Sequence, residues 1–247
     1  MADLNSSPDV FVVIPTYQEA GNIGPLVEEL YRVGVAGLYV CVVDDASPDG
    51  TGNIVLGLRP AYPSLHLIAR SGHRGYGLAC RDGIAFALER GASFIVTMDA
   101  DFSHQPAVIP EMLRAAAQGD LVVGSRYAGG GSAVKDWPRS RLMLSKAASL
   151  LVRVVSQAKL RDTTSGFRCW RASFLRSLPL DTLSAGGFAF IYETLFLAAA
   201  RGARIAEVRN VYTGRSRGDS KLTAGIMLEG LLLCGRFAWK RLSGRVP

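Results

Sequence analysis

Short apolar runs alternate with amphipathic segments through the first half of the chain. The runs are continuous and rich in β-branched residues, which is typical of strands buried on both faces of a parallel sheet. They predict strands over Val10–Ile14, Leu38–Val43, Leu65–Ala69, Phe94–Met98 and Leu121–Val123. Apolar residues at helical spacing lie between them, and the first predicted helix has Asn22 as its N-cap. This alternation predicts an α/β fold with a mostly parallel, Rossmann-like sheet flanked by helices.

The pattern changes after Gly124, where longer helices are predicted over Leu142–Val155, Phe188–Ala200 and Leu222–Leu242. The first and last carry both apolar and basic residues, so they can lie at a bilayer interface or pack onto the sheet. No stretch approaches the ~20 charge-free apolar residues of a spanning helix, so we expect the protein to touch a membrane without crossing it. Because the chain shows no repeat and no clean linker, we expect a single domain over residues 1–247, disordered at 1–9 and with an amphipathic helix over 222–242.

The formal net charge of +7 is distributed unevenly. Residues 1–134 contain 8 Lys and Arg against 14 Asp and Glu, whereas residues 135–247 contain 20 against 7. A basic half of this kind suits nucleic acid, anionic lipid or phosphate ligands, with a merely solvated basic surface as the alternative. The four cysteines are scattered without metal-ligand spacing, which favours a reducing compartment and no disulfides.

Acidic residues follow two of the predicted strands: Asp44 and Asp45 come after the second strand, and Asp99 and Asp101 come after the fourth. Ligands of parallel sheets bind beyond the carboxyl ends of the strands, so these acids are candidates for one site. Carboxylates at positions i and i+2 can hold a hard divalent cation beside the phosphates of a nucleotide. Each acidic pair could also be an exposed turn, and the chain contains neither a dinucleotide-binding glycine motif nor a P-loop.

A series of motifs carries a family resemblance that spans roughly residues 10 to 240. The motifs, in chain order, are VIPTYQE at 13–19, VDDASPDGT at 43–51, MDADFSHQP at 98–106, GSRY at 124–127, TSGFR at 164–168 and GDSK at 218–221. Together they resemble the family 2 glycosyltransferases, and more narrowly the dolichol-phosphate or polyprenol-phosphate mannosyltransferases. The resemblance implies a GT-A type fold.

The resemblance also implies roles for individual residues. The nucleotide pocket would be lined by Pro15, Tyr17, Glu19, Val43 and Asp45, and the diphosphate-sugar and metal would be bound by Asp99, Ala100 and Asp101. Ser103 would stand at the metal, where some relatives carry Gln. The acceptor phosphate would be received by Arg126, Arg141 and Ser145, and Arg215 and Lys221 would lie on a loop over the donor phosphates. The residues expected to carry catalysis are Asp99, Asp101, Arg126 and Arg141.

The implied reaction is an inverting transfer of mannose from GDP-mannose to a dolichyl or polyprenyl monophosphate, assisted by Mg²⁺ or Mn²⁺. A lipid monophosphate is already anionic near neutral pH, so it needs positioning by cations more than it needs a general base. The arginine-rich second half supplies such cations. The histidines, His66, His73 and His104, are therefore expected to be structural.

Two other functions remain open at this stage. A polyprenyl-phosphate glucosyl- or other hexosyltransferase that uses a UDP-sugar would share most of the motifs. A non-enzymatic basic protein that binds lipid or nucleic acid would not need the strand-end carboxylates, and the chain lacks the regularly spaced stacking aromatics of single-strand nucleic-acid binders. We therefore expect no nucleic-acid partner. We expect peripheral attachment to an anionic lipid surface on the cytoplasmic face, with a membrane-anchoring partner subunit left open.

Overall fold

A computed structural model of the chain describes residues 9–130, 133–134, 139–212 and 224–243. The strands are β1 Val10–Thr16, β2 Leu38–Asp44, β3 Leu65–Ala69, β4 Phe94–Thr97, β5 Leu121–Ser125, β6 Arg168–Arg171 and β7 Ile205–Arg209. The α-helices are α1 Ala20–Arg32, α2 Thr51–Leu58, α3 Tyr76–Glu89, α4 Ile109–Ala116, α5 Arg139–Ser156, α6 Ala172–Arg176, α7 Phe190–Ala200 and α8 Ala224–Leu242.

The strands form one seven-stranded sheet in the order β3-β2-β1-β4-β6-β5-β7. Strand β1 pairs in parallel with β2 and β4, and β5 pairs in parallel with β7. Strand β6 runs antiparallel to both of its neighbours, β4 and β5. The sheet is therefore mostly parallel, as predicted, and the five strands expected from the apolar runs are confirmed within a residue or two at their ends.

Hydrophobic cores cover both faces of the sheet because successive side chains of a strand point to opposite sides. On β1, Val10, Val12 and Ile14 face a core that α1, α2 and α4 complete. Phe11 and Val13 face the other core, to which α3, α5, α7 and α8 contribute. The two cores hold the carboxyl ends of the central strands at one edge, where the candidate residues lie.

The structure corrects two details of the predicted elements. Helix α1 begins at Ala20, with Glu19 in the N-cap position, so Asn22 lies inside the helix instead of capping it. Its side-chain amide donates a hydrogen bond of 2.8 Å to the Glu19 carboxylate. Strand β6 was not predicted, because its sequence Arg-Cys-Trp-Arg lacks the apolar pattern of a buried strand.

The two longest helices present apolar residues to the surface. Helix α5 exposes Met143, Leu150 and Val154, and α8 exposes Leu232 and Trp239. In the part of the chain that the structure describes, no helix is both long enough and apolar enough to span a bilayer. The cysteines Cys41, Cys80, Cys169 and Cys234 are buried as free thiols.

Candidate active site

The carboxyl end of β2 carries two buried acids with different partners. Asp44 accepts hydrogen bonds from the Thr16 hydroxyl at 3.1 Å and from the Ser47 backbone N–H at 3.0 Å, so it shapes the loop after β2. Asp45 accepts one hydrogen bond from the Gly75 N–H at 2.8 Å and another from the Arg70 guanidinium. Asp45 is thus held in a fixed orientation at the sheet edge.

The loop after β1 is tied to the loop after β2 by three hydrogen bonds. Gln18 N–H donates to the Ser47 hydroxyl at 2.9 Å, Glu19 N–H to the Thr51 hydroxyl at 3.0 Å, and Ala20 N–H to the Asp49 carboxylate at 3.0 Å. These bonds hold the loop that carries Tyr17 and Glu19, after Pro15 of β1, beside the loop that begins at Asp45. Opposite them, the Arg74 guanidinium lies 4.3 Å from the centre of the Tyr17 ring.

Two of the predicted donor-binding residues have buried side chains. Val43 is fully buried, and its side chain packs above Gly83 of α3, which leaves only its backbone near the edge. Ala100 is 3% exposed and contributes to the core on the α1 side. Any contact of Val43 or Ala100 with a nucleotide sugar would therefore use main-chain atoms.

The loop from Asp99 to Gln105 is held in place from within. The Asp99 N–H donates to His104 Nδ1 at 2.9 Å, and the His104 ring stacks on Phe167 with 5.0 Å between ring centres. Asp101 Oδ1 accepts the Ser103 N–H at 3.1 Å. The Asp99 side chain is 30% exposed, whereas Asp101 is 4% exposed. The loop therefore presents Asp99 outward and keeps Asp101 close to the sheet.

Asn210, which follows β7, holds the same loop from outside. Its Nδ2 donates to the Ser103 carbonyl at 3.0 Å, and its Oδ1 accepts the Gln105 N–H at 3.2 Å. Asn210 is almost fully buried, so these bonds are shielded from water. Ser103 is also buried. Its hydroxyl could therefore bind only a metal ion that lies on the inner side of the loop.

Left-handed backbone conformations mark three of these strand ends. Gln18, Ala46 and Phe102 have φ values of 58°, 52° and 62°. Such values are uncommon for residues with a side chain and cost on the order of 1–3 kcal/mol each. Their position after β1, β2 and β4 indicates that this edge is a functional site, because strained residues of this kind cluster at such sites.

A cavity of about 410 Å³ opens beside this edge. Its polar end is lined by Asp99, His104, Arg126, Arg141, Ser145, Thr164, Ser165 and Asn210. Its apolar part is lined by Leu144, Ala147, Ala148, Leu151, Val152, Phe188, Ile191, Tyr192, Leu231 and Cys234. The cavity thus joins the acid at the end of β4 to the two predicted acceptor arginines and to a cleft between α5, α7 and α8.

Arg126 lies in the cavity wall in an ion pair with a buried acid. Its Nε and Nη2 donate to the two carboxylate oxygens of Asp162 at 2.7 and 2.6 Å, and its backbone N–H donates to Oδ2 at 2.9 Å. Burial alone would raise the pKa of Asp162, but the charge and hydrogen bonds of Arg126 offset it and hold the pKa below its usual range. Asp162 therefore stays ionised behind Arg126.

Arg141 and Ser145 lie one turn apart on α5 and both line the cavity. The Ser145 hydroxyl accepts a hydrogen bond from Tyr127 Oη at 2.8 Å. A hydroxyl that already accepts one hydrogen bond keeps its own proton for a further acceptor, such as a phosphate oxygen. The structure thus brings the predicted acceptor residues Arg126, Arg141 and Ser145 to one cavity.

Several residues of the site were not among the predicted ones. Asp162, His104, Asn210 and Tyr127 fix the side chains or loops just described, and only their final positions reveal it. A signal existed for Asp162, since it is an isolated acid in the basic half and lies two residues before the motif at 164–168. Arg215 and Lys221 lie outside the described residues.

The fold and the sequence both match known proteins. Residues 11–181 match the glycosyl transferase family 2 model. An undecaprenyl-phosphate mannosyltransferase of Micrococcus luteus is 40% identical over 96% of this chain and 98% of its own length. A polyprenol monophosphomannose synthase of Mycolicibacterium smegmatis is 35% identical over 93% and 87%.

Among solved structures, glucosyl-3-phosphoglycerate synthase from Mycobacterium tuberculosis, in complex with Mn²⁺, UDP-glucose and phosphoglyceric acid, superposes with a TM-score of 0.66. The match covers 92% of this chain and 80% of that one at 17% identity, so it bears on the fold alone. The GT-A fold and the extent of the family match agree with the strand-end acids and the cavity beside them. The chain belongs to glycosyl transferase family 2.

Proposed function

We propose that this glycosyltransferase transfers mannose from GDP-mannose to a dolichyl or polyprenyl monophosphate. The observation that carries the proposal is the cavity, because Asp99, Arg126 and Arg141 line it together with apolar side chains of α5, α7 and α8. A lipid phosphate has the same composition, a polar headgroup on an apolar chain. The sequence relatives named for undecaprenyl-phosphate and polyprenol-phosphate mannose transfer support the same substrate class.

In the proposed reaction, a phosphate oxygen of the lipid attacks the anomeric carbon of mannose. The bond from that carbon to the GDP phosphate oxygen breaks as the new carbon–oxygen bond forms, and GDP leaves with the electron pair. A single displacement of this kind inverts the anomeric configuration. The phosphate nucleophile is already ionised, so the proposal needs no general base, and it assigns His104 to holding the Asp99 loop.

The donor set at the end of β4 fits a divalent cation. Asp99 and Asp101 supply hard carboxylate oxygens on one short loop, which is the ligand type that Mg²⁺ and Mn²⁺ prefer. Within the described residues, no three His, Cys, Asp or Glu side chains cluster closely enough to hold a metal alone. Asp99 and Asp101, with Ser103 nearby, would therefore share the cation with the donor diphosphate. When bound, the cation would neutralise charge on the leaving group.

The acceptor would enter with its phosphate toward the arginines. Arg141 and Ser145 project from one face of α5, and Leu144, Leu151 and Leu231 continue the same cavity along α5 and α8. The first isoprene units would lie against these apolar side chains. The phosphate would then be held by Arg126, Arg141 and Ser145 beside the sugar.

The donor nucleotide would lie at the ends of β1 and β2. Tyr17 and Glu19 line this region, and Asp45 offers a carboxylate held by Arg70 and by the Gly75 N–H. A UDP-sugar would use the same edge. The proposal favours GDP-mannose because both sequence relatives described above are mannose-transferring enzymes by name.

The proposed place of action is the cytoplasmic face of a membrane, because nucleotide sugars are made in the cytoplasm. The exposed apolar residues of α5 and α8 would enter the interface, and nearby Lys and Arg would contact anionic headgroups. Attachment of this kind would be peripheral, and a membrane-anchoring partner subunit would add to it.

The test is an incubation of the purified protein with labelled GDP-mannose, a polyprenyl phosphate and Mg²⁺ or Mn²⁺, followed by extraction into organic solvent. We expect label in the organic phase, none after chelation with EDTA, and recovery when metal is restored. UDP-glucose in place of GDP-mannose should give little or no product. Transfer from UDP-glucose alone would identify a glucosyltransferase, and transfer in EDTA would overturn the metal assignment.

A further inference from the structure

Asp162 differs from the other acids near the site because it is completely buried. It lies behind the cavity wall and is not among the residues that line the cavity, whereas its partner Arg126 and its neighbour Thr164 both are. The Thr164 hydroxyl donates to Asp162 Oδ1 at 3.2 Å and also accepts a hydrogen bond from Arg126 Nη2. Among the described residues, Arg126 and Thr164 are the hydrogen-bond partners that connect Asp162 to the cavity.

The backbone that carries Asp162 is itself fixed by a second acid. Glu207 of β7 accepts the Arg161 N–H at 2.9 Å and the Asp162 N–H at 3.0 Å, one with each carboxylate oxygen. Because β7 pairs with β5, and Arg126 directly follows β5, both ends of the ion pair are attached to neighbouring strands. The pair therefore has little freedom to rotate.

The geometry limits what Arg126 can do. Asp162 engages Nε and Nη2, which form one edge of the planar guanidinium, so the plane and direction of the whole group are set from behind. The two opposite charges also offset one another. Arg126 therefore acts on a phosphate as an oriented hydrogen-bond donor more than as an added net charge.

We propose that Asp162 is a positioning residue for the acceptor phosphate, acting through the Arg126 guanidinium. The proposal rests on the acceptor role of this cavity given under the proposed function. If Asp162 acted only through its charge, its removal would strengthen phosphate binding, because a net positive charge would then lie behind the cavity. Loss of orientation weakens binding and slows transfer instead.

The test uses the full-length protein and farnesyl phosphate, a short soluble isoprenyl phosphate, as the probe. Its affinity is measured by calorimetry for wild type, Asp162→Asn, Arg126→Gln, the double variant and Arg126→Lys. We expect Asp162→Asn and Arg126→Gln each to bind about tenfold more weakly or worse. The double variant should be no weaker than Arg126→Gln, because residues that act through one another are not additive.

The other variants separate positioning from structural damage. Arg126→Lys keeps the charge but loses the fork, so it should bind farnesyl phosphate about tenfold more weakly as well. Arg126→Gln leaves a buried, unpaired carboxylate and should melt at a lower temperature, and the double variant should recover part of that loss. GDP affinity should be unchanged in all four variants.

The outcomes are distinct. The inference is overturned if Asp162→Asn or Arg126→Lys binds farnesyl phosphate as tightly as the wild type does. It is also overturned if the losses in affinity multiply in the double variant, or if the wild type does not bind farnesyl phosphate. If the wild type binds farnesyl phosphate but transfers no mannose to it, the proposed function fails and the inference stands. If Asp162→Asn does not fold, the Arg126→Lys and double-variant arms decide.

Discussion

The carboxylate of Asp101 shows how a single residue can be tested without disturbing the loop that carries it. Asp101→Asn keeps an oxygen that can accept the Ser103 N–H, and it removes the charge that a divalent cation would need. We expect the rate of transfer to fall by roughly a hundredfold or more, since metal stabilisation of a leaving group is worth several kcal/mol. Initial rates at saturating metal would measure the loss.

The matched control is Asp120→Asn. Asp120 lies just before β5, at the opposite end of the strands, and is paired with Arg204 at 2.9 Å. This variant also removes one carboxylate charge, in this case from an ion pair, yet it should retain the wild-type rate. Near-normal turnover in Asp101→Asn would show that Asp101 does not serve the cation.

His104 illustrates a residue whose role depends on one nitrogen. Its Nδ1 accepts the Asp99 N–H, so the ring fixes the start of the metal loop. His104→Leu removes that acceptor, whereas His104→Asn can supply an oxygen in nearly the same place. We expect His104→Leu to need more metal for half-maximal rate and to lose about tenfold in kcat, with His104→Asn between it and wild type. A titration of the transfer rate against Mn²⁺ would check both variants. Identical curves for His104→Leu and the wild type would show that His104 does not fix the metal loop.

At the scale of elements, helix α5 combines an acceptor site with an exposed apolar face. Arg141 lines the cavity from its first turn, whereas Arg139, two residues earlier, is exposed and does not. Arg141→Ala should therefore raise the acceptor KM or lower kcat by about tenfold, the value of a charge-assisted contact. Arg139→Ala, which loses the same charge from the same end of the helix, should not.

The measurement is acceptor and donor kinetics with a short, water-soluble isoprenyl phosphate, so that membrane attraction does not contribute. Donor KM should be unaltered in both variants. Equal losses in Arg139→Ala and Arg141→Ala would mean that α5 contributes only a diffuse positive field.

Elements with a regular apolar pattern could be predicted from sequence, and those held by specific polar contacts could not. Strands β1 to β5 follow from continuous apolar runs. Strand β6 escaped prediction because its two arginines have particular partners: Arg168 is buried and donates to the Ser165 and Thr163 carbonyls, and Arg171 donates to the last carbonyls of α4. The partners of Arg168 are backbone carbonyls of the preceding loop, and the partner of Arg171 lies 55 positions away, so no hydrophobic periodicity indicates either of them.

The same division applies to the site. Residues at strand ends, such as Asp45 and Asp99, could be placed at this edge of the sheet from the apolar pattern, and their binding roles are predictions from the family resemblance. The ion pair between Arg126 and Asp162 joins residues 36 positions apart, and Asp162 is held there by Glu207 of β7, a further 45 positions along the chain. The family resemblance therefore named Arg126, whereas the isolated position of Asp162 in the basic half gave no indication that Arg126 is its partner.

At the scale of the whole molecule, charge and exposed apolar surface belong to the same half of the chain. Residues 135–247 hold 20 of the 28 Lys and Arg, and they also contain α5 and α8 with exposed Met143, Leu150, Leu232 and Leu242. Apolar side chains and cations act together at a bilayer. The apolar side chains are buried in the interface, and the cations are attracted to anionic headgroups. This arrangement predicts reversible, salt-sensitive binding to anionic vesicles.

The residues chosen to test membrane binding have to be free of structural duties. Arg241 is unsuitable, because its guanidinium donates to the Val155 carbonyl at 3.1 Å and so ties α8 to α5. Arg236 and Lys240 belong to the same helix and have no carboxylate partner among the described residues. The matched control is reversal of Arg32 and Arg59, which are exposed near the ends of α1 and α2 in the acidic half.

Arg236→Glu with Lys240→Glu should weaken co-sedimentation with phosphatidylserine-containing vesicles by at least about tenfold at low salt, because each cation near an anionic surface contributes ~1 kcal/mol. The loss should shrink as salt rises, since screening already removes the same attraction from the wild type. Transfer to a bilayer-embedded acceptor should slow in parallel, while transfer to a short soluble acceptor should not, and Arg32→Glu with Arg59→Glu should leave both unaffected. If both acceptors lose equally, these cations support the fold or the active site, and the protein meets its membrane through another surface or a partner subunit.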